Sequence, residues 1–460
     1  MRPPRSLAVL AVLTLLFPAP VPALQTDSTR SAATSQRPLL AVGQTLLINV
    51  FVNRFDAWAL REDWAANAGS QSWSRNIRLG WEWDENSFST NLFAHPYHGG
   101  LYFNAGRSNG LDYWESATLA LLGSWTWEYF GESNRPSLND FFMTSIGGIA
   151  LGEVFHRVGA TIRDNGATGR RRTWREIAAL PFDPMGGVNR LLRGQWTARG
   201  PNPPEHDLGA FLLRVHGGAR IVADSITDSV ATLPVAIVDL RYGDPLRRPY
   251  GAPFDVFGAR IMVSSAGLNA LRTAGRLFGT DLNRPAARHR HAFAVNQRFD
   301  FISNPAHQIG GQSVEAGFYS LWQLGRGFGV RTQVFGSGIL LGAIDAPGAG
   351  FGERNYDFGP GAGLRLELGL ERRGVTFLTV HSQAAYVHAV SGASADHYIG
   401  FGGVELTVPI VRRLGLGVHA THFSRASQYS DRPDDARDFP ELRLLLNWTA
   451  ASRPAAAQTR

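Results

Sequence analysis

The sequence predicts a mixed fold, in which a mostly α-helical N-terminal domain precedes an antiparallel transmembrane β-barrel of about twelve strands. Three observations support this prediction. The chain begins with an export signal. Its apolar residues form long blocks up to about residue 200 and alternate with polar residues from about residue 205 onward. Short connections between the alternating segments contrast with long ones, as they do in outer-membrane barrels.

Residues 1–23 are predicted to form a secretory signal peptide. Two arginines precede an apolar run from Leu7 to Phe17, and Val21-Pro22-Ala23 suits a cleavage site. The run is shorter than the roughly 20 apolar residues of a spanning helix. The protein is therefore expected to be exported to the outer membrane, and nucleic acid is not expected as a partner despite the net charge of +7.

The composition excludes several kinds of site. The chain has no cysteine, which rules out disulfide bonds, cysteine-ligated zinc and thiol nucleophiles. The mean hydropathy of -0.12 argues against a helical membrane protein with many spans. We expect no cofactor.

Residues 24–37 are predicted to form a polar linker, and residues 38–204 a mostly helical domain. Three blocks of this domain have helical character, PLLAVGQTLLINVFVN, WESATLALLGSWTWEYF and SLNDFFMTSIGGIALGEVF, with glycine, proline and asparagine between them. Each block is short or interrupted by polar residues, so none is expected to be an independent inner-membrane span. The domain is expected in the periplasm, against the inner leaflet, or inside the barrel as a plug.

Residues 205–448 are predicted to form the barrel, with a flexible tail at residues 449–460. In GAGLRLELGLE, residues 361–371, leucines on one face alternate with arginine, glycine and glutamate on the other. A soluble β-sandwich would alternate as well. The barrel is favoured because the strands exceed the roughly 9 to 11 residues that cross a bilayer. It is also favoured because tight turns such as ERRG contrast with DAPGAGFGERN and SRASQYSDRPDDARD, which are long and polar.

Several blocks between residues 86 and 163 resemble a known family. They are HPYHGGLYFNAGRSNG, WESA, GSWTWEYFGE, PSLND and TSIGGIALGEVFHR, in that order. On these blocks the segment resembles the bacterial family called domain of unknown function 3943. Because that family is uncharacterised, the resemblance implies an envelope protein and no particular reaction.

The pentapeptide GRSNG, residues 106–110, matches the G-x-S-x-G pattern of serine hydrolases. A nucleophile elbow needs a strand before Ser108 and a helix after it, which LYFNA and LDYWESATLALL could supply. The alternative is a turn between two helices, in which Gly110 ends the first helix and Asn109 tolerates left-handed dihedral angles. The turn is favoured, because so short a pattern often occurs by chance.

His95 and His98 are the better candidates for acid–base chemistry. They share a face if the segment is helical, although Pro96 lies between them. A metal site would need carboxylates from later helices, and H-x-x-H alone is a weak signal, so we expect no metal. The alternative is that both imidazoles form hydrogen bonds inside a packed domain. The candidate catalytic residues are His95, His98, Ser108 and Glu128.

The same segment carries many polar residues among apolar ones, which indicates either a binding site or an internal ion-pair network. Asp140 also suits the capping of a helix that begins after Ser137, and Gly148 and Gly152 suit close packing of helices. The candidate binding residues are Arg107, Asn109, Glu115, Glu132, Asn139, Asp140 and Glu153.

No complete catalytic constellation is visible, so the sequence favours a non-enzymatic outer-membrane protein with a structural, binding or small-solute passage role. The alternative is an outer-membrane hydrolase that acts on lipid or cell-wall material. The expected partners are outer-membrane lipid, the barrel-insertion machinery and an unidentified small molecule.

Overall fold

The structure, a computed structural model, describes residues 36–203, 211–224, 229–283, 287–304, 308–346, 354–411 and 413–451. The predicted signal peptide, nearly all of the predicted linker and most of the predicted C-terminal tail lie outside the described residues. The described chain consists of a helical region followed by a β-barrel.

The helical region contains α-helices and four π-helical segments, in which the chain makes one wider turn. The α-helices are α1 (Pro38–Phe55), α2 (Asp63–Ala66), α3 (Ser70–Leu79), α4 (His95–Arg107), α5 (Tyr113–Thr126), α6 (Leu138–Phe142), α7 (Gly148–Ile162), α8 (Gly169–Ala179) and α9 (Pro184–Leu192). The π-helical segments are π1 (Asp56–Leu60), π2 (Thr90–Ala94), π3 (Trp127–Gly131) and π4 (Met143–Gly147).

The barrel is a closed antiparallel sheet of twelve strands, in which β1 pairs with both β2 and β12. The strands are β1 (Phe211–Asp224), β2 (Ser229–Tyr242), β3 (Phe257–Ser264), β4 (Gly267–Asp281), β5 (Arg290–Ser303), β6 (Gln308–Gly325), β7 (Phe328–Asp345), β8 (Tyr356–Arg372), β9 (Val375–His388), β10 (Ala395–Val411), β11 (Leu414–Tyr429) and β12 (Asp435–Ala451). Each strand pairs with its neighbour in sequence, so the barrel is a simple meander.

The two ends of the barrel differ. The turn end carries the two-residue turns Arg326-Gly327 and Arg373-Gly374 and the longer β2–β3 connection, residues 243–256. The loop end carries the connections at residues 346–355, 389–394 and 430–434. One predicted long loop, SRASQYSDRPDDARD, is mostly strand, because charged residues continue the alternation of β11 and β12 up to the loop end.

Contacts across the barrel show which side chains face the lumen. Arg260 on β3 lies 2.7 Å from Glu405 on β10, and Arg272 on β4 donates to Gln383 on β9 at 2.9 Å. Neither pair of strands is adjacent in the sheet, so these side chains must meet inside the barrel. The residues between them along each strand face outward.

The outward face is apolar and largely exposed on β8 to β12. Its exposed members include Leu364, Leu366, Leu368, Val380, Val404, Leu406, Val408, Leu414, Leu416, Val418, Leu442, Leu444 and Leu446. A closed sheet with polar residues inside and apolar residues outside is the arrangement of an outer-membrane barrel. The predicted fold class, a helical region followed by such a barrel, is confirmed.

The helical region packs against the outer wall of the barrel. Phe299 and Phe301 on β5 face outward, because Asp300 between them binds the lumenal Arg272 at 2.7 Å. Yet both rings are buried, and Phe88 packs on Phe301 with ring centroids 5.4 Å apart. The helices therefore cover this part of the exterior.

Two of the three positions considered for the helical domain, the plug and the separate periplasmic domain, do not fit the described residues. The lumen contains side chains of the barrel itself and leaves no room for a plug. A separate periplasmic domain is also wrong, because the helices follow the wall from one end to the other. Tyr113 stacks on Phe254 at the turn end, with centroids 5.6 Å apart, and Asn91 donates to the Tyr356 hydroxyl at the loop end at 2.7 Å.

Helices α4 and α7 cross with their backbones in contact. A Cβ atom added to Gly99 would lie 1.6 Å from the carbonyl oxygen of Thr144, and one added to Gly148 would lie 2.4 Å from the carbonyl carbon of Gly99. A Cβ atom on Gly152 would lie 3.1 Å from the Cα of Gly100. Small residues permit this approach, as the sequence predicted for Gly148 and Gly152.

We predict that Gly99→Ala lowers the free energy of unfolding by about 3 kcal/mol, because the added methyl group forces the two helices apart. Gly43→Ala is the matched control, since a Cβ atom there meets nothing within 4 Å. The control should leave stability unchanged or raise it by about 1 kcal/mol. Denaturation in detergent micelles, followed by tryptophan fluorescence, measures both. Equal effects of the two changes would contradict the close crossing.

Candidate functional site

The barrel lumen holds a cavity of about 60 Å³ on the loop-end side of the cross-barrel pairs. Its floor is polar and its walls are apolar. The floor residues are Arg298, Asp300, Glu315, Arg365 and Gln383, and the wall residues include Ile302, Ile309, Ile339, Ile344, Val387 and Ile399. This volume suits a few water molecules or a small chemical group.

The floor is a layer of ion pairs and hydrogen bonds that crosses the lumen. Arg365 lies 2.7 Å from Glu315, and Arg298 lies 2.6 Å from Asp300. The Gln383 side chain accepts from both Arg298 and Arg272, at 3.4 and 2.9 Å, and so joins β9 to the opposite wall. Every charged group of the layer has a partner of opposite sign, which offsets the cost of removing it from bulk water.

The walls form an apolar ring above this floor. Ile344, Val387 and Ile399 pack together, with Ile309 and Ile339 against them. A cavity with apolar walls and a few convergent polar groups is typical of a small-molecule site. The arrangement suits a solute with an apolar body and one polar end.

The residues that the sequence selected as candidates separate into two groups at opposite ends of α4. The loop-end cluster contains His95, His98, Glu128, Glu132, Asn139, Asp140 and, in addition, Asp84. The turn-end cluster contains Arg107, Ser108, Asn109, Glu115 and Glu153. Ser108 follows His98 by ten residues along a helical path, or about 15 Å. The structure therefore does not bring Ser108 to the histidines.

The loop-end cluster is a buried hydrogen-bonded network. The Asn139 amide nitrogen donates to Asp84 at 2.5 Å and to Asp140 at 2.9 Å, which holds the two carboxyl groups side by side. Glu128 accepts from the backbone nitrogen of Ser137 at 2.7 Å, and Glu132 lies close enough to interact with it electrostatically. Like charges this close repel each other, and a bound proton relieves the repulsion.

The histidines lie beside this network in different roles. His95 is 3.8 Å from Asp140 and forms a hydrogen bond of 3.2 Å with the Thr144 hydroxyl. His98 forms a hydrogen bond of 2.8 Å with the Tyr102 hydroxyl, and its ring packs on Trp127. Both imidazoles thus bond within a packed interior, which was the alternative to a catalytic role.

Three of the π-helical segments frame the loop-end cluster. His95 directly follows π2, Glu128 lies in π3, and Thr144 lies in π4. A π-helical turn widens the backbone by one residue and is frequent at functional sites. Here the three segments turn polar side chains toward a shared interior. A sequence pattern does not reveal them, because the same residues fit a regular α-helix.

The turn-end cluster is structural in its contacts. Arg107 lies 3.0 Å from Glu153, which also binds Arg157 at 2.7 Å. The Ser108 hydroxyl accepts from Asn189 at 2.7 Å, and the Asn109 side chain accepts from Arg193 at 2.6 Å. Glu115 forms a capping box with Asp112 at the start of α5. These bonds tie α4 and α5 to the end of the helical region.

The GRSNG segment is a turn between two helices. LYFNA lies inside α4, so the strand that a nucleophile elbow requires is absent from this described segment. Helix α4 ends at Arg107, and Gly110 adopts a φ of 83°. Only glycine takes such an angle without strain, as the turn interpretation predicted.

A further buried ion pair lies outside the strands and the long helices, at the turn end. Asp183 caps α9 by accepting from the nitrogen of Gly186 at 2.8 Å, and it lies 2.6 Å from Arg163 and 3.7 Å from His156. Burial raises the pKa of the Asp183 carboxyl. The nearby His156 imidazole and the charge of Arg163 outweigh burial and lower that pKa to about 2.

Residues 80–185 match the sequence profile of the family described as Domain of unknown function (DUF3943). The resemblance found over roughly residues 86–163 is thus confirmed. This segment contains α4 to α8, both clusters and Asp183. No curated protein matches the chain significantly.

Solved outer-membrane proteins are similar to about half of the chain. OmpT of Vibrio cholerae matches with a TM-score of 0.24 and 8% identity, covering 52% of this chain and 96% of its own. An outer membrane channel from Pseudomonas putida F1 matches with 0.26 and 10%, covering 53% and 96%. The KdgM porin matches with 0.22 and 7%, covering 51% and 98%. Scores this low carry no argument about function, so the barrel assignment rests on its strand pairing.

We predict that Tyr356→Phe weakens the attachment of the helices to the barrel. Its hydroxyl accepts from the buried Asn91 amide and donates to the carbonyl of Asn86 at 3.0 Å, so its loss leaves an N–H of Asn91 without its acceptor. The free energy of unfolding should fall by about 1–3 kcal/mol. Tyr398→Phe, at an exposed tyrosine, is the control and should change it by less than about 0.5 kcal/mol. Unchanged stability in Tyr356→Phe would refute the attachment.

Asp183→Asn should remove a charge but keep a helix cap. The pKa of Asp183 is lower in the folded chain than in the unfolded chain, so its charge stabilises the fold above about pH 4 and ceases to do so as the pH falls through about 2. We predict a loss of about 2 kcal/mol at pH 7 that shrinks toward zero at pH 2. Denaturation of both proteins across this range is the measurement. A difference that does not depend on pH would contradict the ion pair.

Proposed function

We propose that the protein is an outer-membrane barrel that admits a small, partly apolar solute to its lumen and limits its passage by cross-barrel ion pairs. The turn end faces the periplasm in this proposal, as short turns do in outer-membrane barrels. The observation that carries it is the cavity between an apolar ring and a floor made only of side chains. Side chains can move aside, whereas a plug of backbone would have to unfold.

The layer on the turn-end side of the cavity supports control of passage. Arg260 lies 2.7 Å from Glu405 across the lumen and 3.3 Å from Asp239. Further toward the turn end, Arg241 lies 3.3 Å from Glu367. The Arg260–Glu405 and Arg241–Glu367 pairs lie at different depths in the lumen, and each joins strands that are not neighbours in the sheet. A solute that crosses the barrel must exchange these bonds for its own.

The alternative of a hydrolase gains no support from the arrangement of its candidate residues. The only proposed nucleophile, Ser108, is held by Asn189 at the turn end, while the histidines and Glu128 lie at the loop end. General acid–base catalysis requires these groups within hydrogen-bonding reach of one another or of a shared substrate atom.

We predict that the double change Arg260→Ala with Glu405→Ala raises the conductance of the barrel in planar lipid bilayers several-fold, because it removes both partners of a cross-lumen pair. Asp239 keeps His216 as a partner in this variant. The matched control is His422→Ala with Asp438→Ala, which removes an exposed ion pair between adjacent strands. The control should conduct like the unmodified protein. If the correctly folded variant with Arg260→Ala and Glu405→Ala conducts no more than the unmodified protein, passage through the lumen is refuted.

A further inference from the structure

Helix α1 has its polar residues inside and its apolar residues outside. Asn49 and Asn53 are 8% and 5% exposed, whereas Leu47 and Phe51 are 63% and 67% exposed. A surface helix of a soluble protein has the opposite pattern, with an apolar stripe toward the core. The other exposed apolar side chains of α1 are Leu39, Leu40, Leu46, Val50 and Phe55.

Two asparagines on the buried polar face of α1 form hydrogen bonds to other helices. Asn49 donates to the carbonyl of Gly123 at 3.1 Å and accepts from the Tyr102 hydroxyl. Asn53 donates to the carbonyls of Ala65 and Gly131, at 2.9 and 2.8 Å. Polar side chains that join helices from within, with apolar side chains outside, are typical of helix packing in a bilayer.

The length and position of α1 also suit a bilayer. Together with π1 it forms one helix from Pro38 to Leu60, 23 residues long, and only 28% of its most apolar window is buried. At 1.5 Å per residue this helix is about 34 Å long, more than the apolar band of an outer-membrane barrel. The quoted block ends at residue 53, and the last residues of α1 together with π1 extend the helix beyond it.

The barrel wall under the helices differs from the wall that faces lipid. Gln297 on β5 faces outward and donates to the carbonyl of Ile146 at 2.9 Å, and it accepts from the Tyr113 hydroxyl at 2.6 Å. On β8 to β12 the outward positions at similar depth are leucine and valine. The wall is polar at Gln297, where helices supply its partners, so helices take the place of lipid at this part of β5.

Aromatic side chains gather where the helices reach the loop end. Trp81 packs against Tyr129 with centroids 5.2 Å apart, and Trp125 packs against Tyr129 at 5.3 Å. Trp58, at the loop end of α1, is 75% exposed. Tryptophan and tyrosine concentrate at the boundary between acyl chains and headgroups.

We propose that the helical region lies within the outer membrane beside the barrel and that the exposed face of α1 contacts lipid acyl chains. This inference rests on the outer-membrane location of the proposed function, but not on passage through the lumen. Acyl chains are the expected neighbours of this face because α1 runs from the turn end to the loop end like the strands. Its apolar face then continues the apolar exterior of the barrel. The competing possibilities are that a second copy of the chain covers this face or that the face is in contact with water.

Spin labels attached to single introduced cysteines show what contacts this face of α1. The sequence has no cysteine, so each variant carries one label. The labelled variants are Leu47→Cys on α1, Leu444→Cys on the barrel exterior and Asp431→Cys in an exposed loop, each reconstituted in phosphatidylcholine vesicles. We expect the label at Leu47 to match that at Leu444, with frequent collisions with oxygen and few with an aqueous nickel complex. A match to Asp431 would overturn the proposal, and protection from both reagents would show a protein partner instead.

A second variant pair tests depth without a label. Leu47→Arg places an arginine in the middle of the apolar band, so it should lower the folding equilibrium constant in vesicles at least about 30-fold. Leu39→Arg places one near the turn-end boundary and should change this constant less than about fivefold. On an aqueous surface both exposed positions would tolerate arginine, and this result would overturn the proposal even if the lumen proves to conduct.

Discussion

The closure of the sheet between β1 and β12 is the constraint on which the rest of the structure depends. A closed sheet satisfies all of its ladder hydrogen bonds internally and gives every strand one face toward the lumen and one toward the exterior. A single lumenal contact, such as Arg272 with Gln383, therefore assigns a face to the alternating residues of its strand as far as the next bulge. By this rule the wall that the helices cover is the outer one, and the lumen belongs to the barrel's own side chains.

Two polar interiors follow from that division, one in the lumen and one among the helices. In the lumen, arginine pairs with carboxylates across the barrel, and the charges remain compensated although water is scarce. Among the helices, asparagine, tyrosine and histidine join the loop-end cluster, and ion pairs gather at the turn end. The lumen has a cavity between its polar and apolar layers. This is the reason for assigning binding or passage to the barrel and an anchoring role to the helices.

The strands could be predicted from the sequence, because alternation of leucine with arginine and glutamate in residues 361–371 is typical of a strand with one apolar and one polar face. The turn at Gly110 and the glycine crossing at Gly148 followed from local stereochemistry. The position of the helices could not be predicted, because α1 is apolar enough for a core, a membrane or a plug, and only contacts distant in sequence distinguish these. Asp84 and Tyr356 were missed for the same reason, since they are 272 residues apart and join through Asn91. The lumenal cavity was missed as well, because the density of polar residues in the helices directed attention away from the barrel.

The central claim, that the helices lie on the outer wall, is tested most directly by a disulfide between the two regions. A Cβ atom on Gly310 would lie 3.0 Å from the Cγ of Leu92, which is close enough for a disulfide between cysteines at these positions. Ile309, the adjacent residue, faces the lumenal cavity. In outer-membrane preparations the account predicts that mild oxidation cross-links Leu92→Cys with Gly310→Cys and not Leu92→Cys with Ile309→Cys. A cross-link to position 309 and not to position 310 would place the helices inside the barrel and contradict the account.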